Sequence, residues 1–542
     1  MTGLDPGPRV LFALFVAVFS VLLGAALSFV PTTSRAVLGY MRTFATLAAV
    51  AVVVTHLLPE ALRELGPLSI LLFFAGWFAP ALAHFVGQRS TRGRAAHAVL
   101  EAGYWGLVVH HVADGIGLGT YTRLPADQGS HVDVVVALAA HTVPLIAVVS
   151  LAYRTTFGAR SAVFRSLGLA LASVFGIALS SLVDTHTIDR FAPVIAAVAA
   201  GLLLHVVTHD LTDDPAVTPV ARVLDLGVAA LGIAVSLFGV WRTTEPGTRA
   251  FVHQLVQLTE RTSLVILVAL AAAAFSLRLP DRSSKFARAA LPAGVLGAES
   301  VLLSVALLGF TAAGLRLLLT GAAVALCVAQ RGPHDDERPR VQWRARANEA
   351  LEHSGPWLLL GLLLGALLAS VPPSAVTQRP SGLVALAAVA LMANLTPVAA
   401  PAAVLIAIGL RAFGFPPGAV LLFATLAPLS AYLGSAVKAR LLTTLACVVV
   451  AILADGFGLS VAALDGSLSQ GDLGPRAAIA LAALLLFGIW QRSARIWLST
   501  IVPPPPHEHE HAHDVHGPHG PHGPHGPHGP HGPHGPHGPH AH

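Results

Sequence analysis

Residues 10–30 read VLFALFVAVFSVLLGAALSFV, a stretch with no charged side chain. About 20 apolar residues in a helix span the ~30 Å hydrocarbon core of a bilayer. In lipid such a segment satisfies its own backbone only as a helix. One arginine precedes the run and no small-residue cleavage site follows it. It is therefore expected to be a retained first span and not a removed leader. Working outward, similar runs recur near 37–59, 67–88, 95–120, 131–153, 166–184, 190–210 and 222–241. A second group lies near 251–277, 289–310, 312–330, 355–372, 381–410 (broken), 416–436, 441–460 and 476–491. Composition agrees, with 54% hydrophobic and 11% charged residues over 542 positions. Soluble domains carry about 25% charged residues, so a water-facing globule of this size could not cover itself. The expected fold class is all-α: a polytopic integral membrane protein with about 14–16 transmembrane helices in two membrane bundles.

The formal net charge of +5 is not a nucleic-acid signal, because most arginines sit in short loops between apolar runs. Residues 31–42, 89–94 and 154–165 are rich in arginine, whereas 60–66 and 121–130 hold one each. The richer loops are expected on the cytoplasmic side. That leaves the N-terminus outside and the C-terminal tail cytoplasmic, in a bacterial-type plasma (inner) membrane. Cys327 and Cys447 lie far apart in apolar runs, which predicts neither a disulfide framework nor a cysteine metal site. The expected partners are membrane lipid and metal ions, with a homodimer also compatible and no nucleic acid.

Residues 330–353 form a charged stretch expected to be a loop. The segment WRTTEPGTR (241–249) makes a better boundary, because the histidine-bearing spans end before it. Three regions follow: a metal-handling eight-helix domain over 1–245, a membrane domain with broken helices over 251–497, and a histidine-rich tail over 498–542. In the tail, glycine and proline in every repeat forbid helix and strand, which predicts a disordered string of imidazoles. Neutral imidazole is a ligand for zinc, nickel and copper, and cobalt and iron are also compatible. The tail candidates are His507, His509, His511, His513, His516 and His519. An affinity tag is usually uninterrupted histidine, and the acidic lead-in HEHEHAHD argues for a natural segment.

Ionisable groups inside a span are costly and point to function. Four clusters qualify: His56 with Glu60; His110, His111 and Asp114; His141; and His205, His209 and Asp210. His56/Glu60, His110/Asp114 and His205/His209 are i, i+4 pairs, so each shares one helical face. Imidazole plus carboxylate suits zinc and similar divalent ions. His111 points about 100° from His110, toward a second site or a supporting role. His141 is the natural ligand from a neighbouring helix. The plain alternatives are a water-facing span end for His56/Glu60 and for His205/His209. For HHVADG the alternative is a buried hydrogen-bond network.

HLLPEA in the second span, HHVADGIGLG in the fourth and HTVP in the fifth resemble the ZIP family of zinc and iron transporters. LLHVVTHDL resembles that family's seventh span. The resemblance covers roughly residues 1–245. It implies eight spans, an outside N-terminus, and a transport site drawn from His110, Asp114 and His141. His111 stands where the family usually has asparagine. Thr142 replaces the acid that usually follows the fifth-span histidine, Leu145 and Ile146 replace a later His/Glu pair, and the sixth span has no mid-membrane carboxylate. One site of His110, Asp114 and His141 is what the resemblance implies here.

The stretch 355–430, and with it roughly residues 251–497, resembles a bacterial predicted-permease family that includes organoarsenical exporters. Pro397, Pro401, Gly418 and Pro428 match its Pro-rich re-entrant segment and the Gly-started span that follows. Interrupted spans are how transporters expose backbone dipoles to a substrate. Residues 251–330 have the character of a second copy of the same unit, with Glu299 and Arg316 as the buried charges, expected to pair or to snorkel.

The sequence thus leads to a transporter of divalent transition metals, zinc foremost, with a tail that buffers or senses the ion. One alternative is a permease for another small solute with a vestigial metal-regulatory first half. Another is an intramembrane zinc hydrolase, although HExxH occurs only in the low-complexity tail, at 507–511 and 509–513, and in none of the apolar runs; a non-enzyme is the expectation.

Overall fold

The computed structural model describes residues 6–29, 35–66, 68–90, 95–121, 132–180, 182, 185–209, 218–238, 246–276, 298–331, 343–371, 382–433, 437–459, 461 and 473–501. The chain is helical throughout, with no strand among the described residues. Met1–Pro503 form one compact unit.

In the first half, α1 (Pro6–Phe29) and α2 (Arg35–Val52) lead to α3 (Leu58–Leu65). Then come α4 (Leu68–Ser90), α5 (Ala95–Tyr121), α6 (Val132–Phe157), α7 (Ala159–Leu179), α8 (Thr185–His209) and α9 (Pro219–Phe238). The second half has α10 (Pro246–Ser276), α11 (Ala298–Leu308), α12 (Phe310–Arg331), α13 (Trp343–Ala369) and α14 (Gly382–Leu395). It continues with α15 (Ala400–Phe413), α16 (Pro417–Leu433), α17 (Val437–Gly456), α18 (Leu473–Arg492) and the short α19 (Ala494–Ser499).

Seven of these helices are long and apolar enough to cross a membrane, and eight shorter apolar helices accompany them among the described residues. Their outer surface is greasy: Phe164 is 72% exposed and Ile479 71%. Apolar side chains left outward in such numbers belong against lipid. This is a membrane protein built from helices.

Glycine sets how closely the helices approach. A Cβ on Gly76 would lie 2.1 Å from Val198 O, and one on Gly201 would lie 2.0 Å from Phe73 O. That contact brings α4 and α8 backbone to backbone. Gly361, Gly365 and Gly409 do the same for α13 and α15. Small residues at helix crossings are how membrane helices gain van der Waals contact without a hydrophobic drive.

Local chemistry explains the interruptions. Between α2 and α3 the ladder widens into one π-turn, Val53–Leu57, in which Leu58 N donates to Val53 O. Pro59 follows it and supplies no N–H. The break expected inside 381–410 is present: α14 ends at Leu395 and α15 restarts at Ala400, with Pro401 in its first turn. A second break at Gly414, whose φ is 109°, separates α15 from α16. The Asp455 carboxylate then accepts from Gly418 N at 2.6 Å, across from α17. Both α15 and α16 are buried nearly all round.

One expectation changes. Residues 343–353, placed in a charged loop by the sequence, are the start of α13. Arg, Ala, Glu and Leu dominate WRARANEALEH and favour helix, and Glu352 pairs with Arg492 of α18 at 2.5 Å.

The two halves touch through α3 and α10 and through α9 with α18 and α19. At the second contact Asp225 of α9, wholly buried, accepts from Thr43 Oγ1 at 2.6 Å. Its other oxygen accepts from Ala494 N at 2.9 Å, capping α19.

Candidate functional site

The α5 helix carries the charged cluster of the first half. Near its start Glu101 pairs with Arg165 at the head of α7, at 2.6 Å. The same guanidinium lies 4.6 Å over the Tyr104 ring and 5.4 Å from the Tyr153 ring centroid of α6. Arginine and tyrosine in this arrangement mark a membrane–water boundary. His110 lies nine residues further along α5, which is about 14 Å of helix rise.

His110 and His111 are 4% and 1% exposed. His110 Nε2 approaches Asp114 Oδ2 at 3.3 Å, so the i, i+4 spacing brings the pair onto one face. His111 turns the other way, and its Nδ1 is hydrogen-bonded to Ser173 Oγ of α7 at 3.1 Å. Two crevices flank the helix. One, with about 310 Å³ of empty space, places His110 opposite Leu145 and Val149 of α6 and Leu202 and Leu203 of α8. The other, of about 250 Å³, collects His111, Asp114, Ser20 of α1, Thr142 of α6 and Ser173. A single helix therefore presents its imidazoles to opposite sides, and Asp114 serves both.

What holds this arrangement is the sequence DGIGLG. A Cβ on Gly115 would lie 2.2 Å from Ser173 O, and one on Gly176 would lie 2.2 Å from Val112 O. A Cβ on Gly119 would meet Ser180 Oγ at 2.1 Å. The Gly115–Gly119 stripe thus seats α5 directly on the α7 backbone, and that contact brings Ser173 to His111.

Of the other expected metal-site residues, the two that are described stand outside these crevices. Glu60 is exposed on α3, and His205 stands edge-on to Trp77 of α4 with ring centroids 5.7 Å apart. The side chains of His56, His141 and His209 lie outside the described residues, as do Asp210 and the tail histidines His507, His509, His511, His513, His516 and His519. Among the described residues no group of three or more His, Cys, Asp or Glu side chains is placed to hold a metal. The described donors that converge are His110, Asp114 and His111, with the hydroxyls of Ser173, Thr142 and Ser20 around the last two.

The hydroxyls are what sequence reasoning missed. The sixth span lacks a carboxylate but supplies Ser173, and Thr142 lines a crevice where an acid was sought. The second half holds another missed feature. Arg316 is fully buried and neither snorkels nor pairs with Glu299. Its Nε donates to Ala424 O at 2.9 Å, its Nη1 to Ser304 Oγ at 2.6 Å, and its Nη2 to Ser300 Oγ at 2.8 Å. The signal was present: Pro428 lies four residues after Ala424 and has no N–H to offer that carbonyl.

Comparison with known proteins adds nothing to this geometry: no family model, curated protein or solved structure matches the chain.

Proposed function

We propose that the chain is a transporter that carries divalent transition metals, zinc foremost, across a plasma membrane. In this reading residues 1–245 are a ZIP-like metal domain and 251–497 a permease-like domain. The helices make about 14–16 crossings, with the N-terminus outside and the histidine-rich tail in the cytoplasm. The observation that carries the reading is the His110–Asp114 pair, 3.3 Å apart and largely shielded from solvent inside the helical unit. Burying such a pair in lipid costs several kcal/mol, and a polar pathway is the usual return on that cost. Imidazole and carboxylate together favour a borderline divalent ion over an alkali ion. His141 on α6 would complete the set from the neighbouring helix. His111, held by Ser173, stands on the far face as the support or the next station.

Zinc uptake into proteoliposomes tests this. The parent is expected to show saturable zinc flux. His110→Ala and Asp114→Asn should each abolish it, while deletion of 502–542 leaves it in place. Absence of metal flux in the parent removes the reading.

A second reading has its own observation. The breaks at Leu395–Ala400 and at Gly414 enclose α15, a helix buried on all sides. Broken, buried helices accompany substrate sites in secondary transporters. Under this reading the second half moves another small solute and the first half is a metal-sensing regulator. Zinc binding without zinc flux, lost in His110→Ala, would favour it.

A further inference from the structure

Two helical hairpins face each other in the second half. One is α11 and α12, turned at Gly309, whose φ is 85°; the other is α15 and α16, turned at Gly414. The first arms pack together, and so do the second arms. Their sequences correspond from the turn onward: GFTAAGLRLLLTGA begins at 309 and GFPPGAVLLFATLA at 414. Phe310 matches Phe415 and Thr320 matches Thr425. Two copies of one hairpin thus meet arm to arm, and in transporters built from repeats the substrate site lies at such a meeting.

Arg316 sits at that junction. It belongs to the second arm of one hairpin and reaches the Ala424 carbonyl on the second arm of the other. Its remaining contacts are neutral: the hydroxyls of Ser304 and Ser300, and Ser300 O at 3.4 Å. No carboxylate pairs with it among the described residues, although Glu299 is next in sequence to Ser300. A guanidinium carries five N–H donors, and one Nη2 hydrogen is left over. One turn along the same face, Thr320 is 1% exposed and its hydroxyl has no hydrogen-bond partner among the described residues. A buried cation without a counter-charge beside an unused hydroxyl is the chemistry of a closed anion site.

We propose that Arg316, with Thr320, Ser300 and Ser304, recognises a small anion bearing two or more oxygens, a carboxylate or an oxoanion. The guanidinium supplies the charge and its unused Nη2 hydrogen, and the Thr320 hydroxyl supplies a donor to a second oxygen; Ser300 and Ser304 hold the guanidinium in place. A spherical anion has no second oxygen to offer the Thr320 hydroxyl. The site lies in the second half and does not depend on the metal reading of the first.

The test uses the full chain in detergent, with inorganic phosphate and acetate as probes and chloride at matched ionic strength as control. Saturable binding of phosphate or acetate is expected, together with a rise in thermal stability that chloride does not give. Thr320→Val keeps the side-chain shape and removes a hydroxyl that bonds nothing, so it should fold like the parent. It should bind the probe at least about tenfold more weakly, since a hydrogen bond to a charged group exceeds the free energy of one decade. Arg316→Lys should retain the charge and lose the bonds that orient the guanidinium, with binding between that of the parent and that of Arg316→Gln. The proposal fails if neither probe saturates, or if Thr320→Val or Arg316→Gln binds like the parent; Arg316 is then only a helix staple. If Arg316→Gln does not fold, Thr320→Val alone decides. Loss of zinc flux in the first half leaves this result untouched, and the converse holds.

Discussion

Replacing Gly176 with alanine perturbs the contact that seats α5 on α7. The new Cβ would lie 2.2 Å from Val112 O. A carbon needs roughly 3.5 Å from such a neighbour, so the helices must separate by about 1.3 Å. Overpacking of this kind costs about 1–3 kcal/mol. The same displacement carries Ser173 away from His111, whose bond is 3.1 Å, and loses about 1 kcal/mol more. Helix propensity returns about 1 kcal/mol. The net expectation is a loss of about 1–3 kcal/mol. Gly227→Ala in α9 is the matched control, because nothing lies within 4 Å of its Cβ position. Both changes carry the same propensity gain, so their difference isolates the packing cost. The assay is reversible unfolding of the detergent-solubilised chain in mixed micelles, followed by far-UV circular dichroism. Should Gly176→Ala prove as stable as Gly227→Ala, the backbone contact between α5 and α7 is not as described, and the placement of His111 falls with it.

Four further outcomes follow. Asp225→Ala strips an acceptor from both Thr43 and Ala494; at about 1.5–3 kcal/mol for each charged hydrogen bond it should be among the most destabilising changes in the chain, measured in the same unfolding assay. Ser304→Ala removes the 2.6 Å acceptor of the buried Arg316 guanidinium and should cost about 1.5–3 kcal/mol. Ser28→Ala, whose hydroxyl bonds only to Ala25 O in its own helix, should cost well under 1 kcal/mol. Deletion of 502–542 should abolish capture of the solubilised protein on immobilised nickel, since it removes the imidazole string, and leave unfolding of the helices unchanged.

How far the sequence led depends on the range of each interaction. The helical, membrane-type fold was legible because every run such as 10–30 carries its own evidence: apolar residues, few charges, enough length. The pairing of His110 with Asp114 was legible because both lie on one helix, four positions apart. The break after Leu395 was announced by Pro397 and Pro401. Other features required knowing which helices touch. Ser173 is 62 residues from His111, and nothing local marks it as a partner. Ala424 is 108 residues from Arg316, and Pro428 tells only that its carbonyl is free, not who takes it. The helical character of 343–353 was masked by charge, which in a membrane chain suggests a loop but here belongs to the first turns of α13.

The Asp225 contact bears on how the chain is made. Its second hydrogen bond comes from Ala494, 269 residues later. At about 5–20 residues per second of synthesis, that donor emerges from the ribosome roughly 15–50 s after the carboxylate does. During that interval Thr43 can already donate to one oxygen of the acid, while the backbone N–H that meets the other has not yet been made. The cap that ties α9 to α19 is therefore among the last contacts of the helical unit to form.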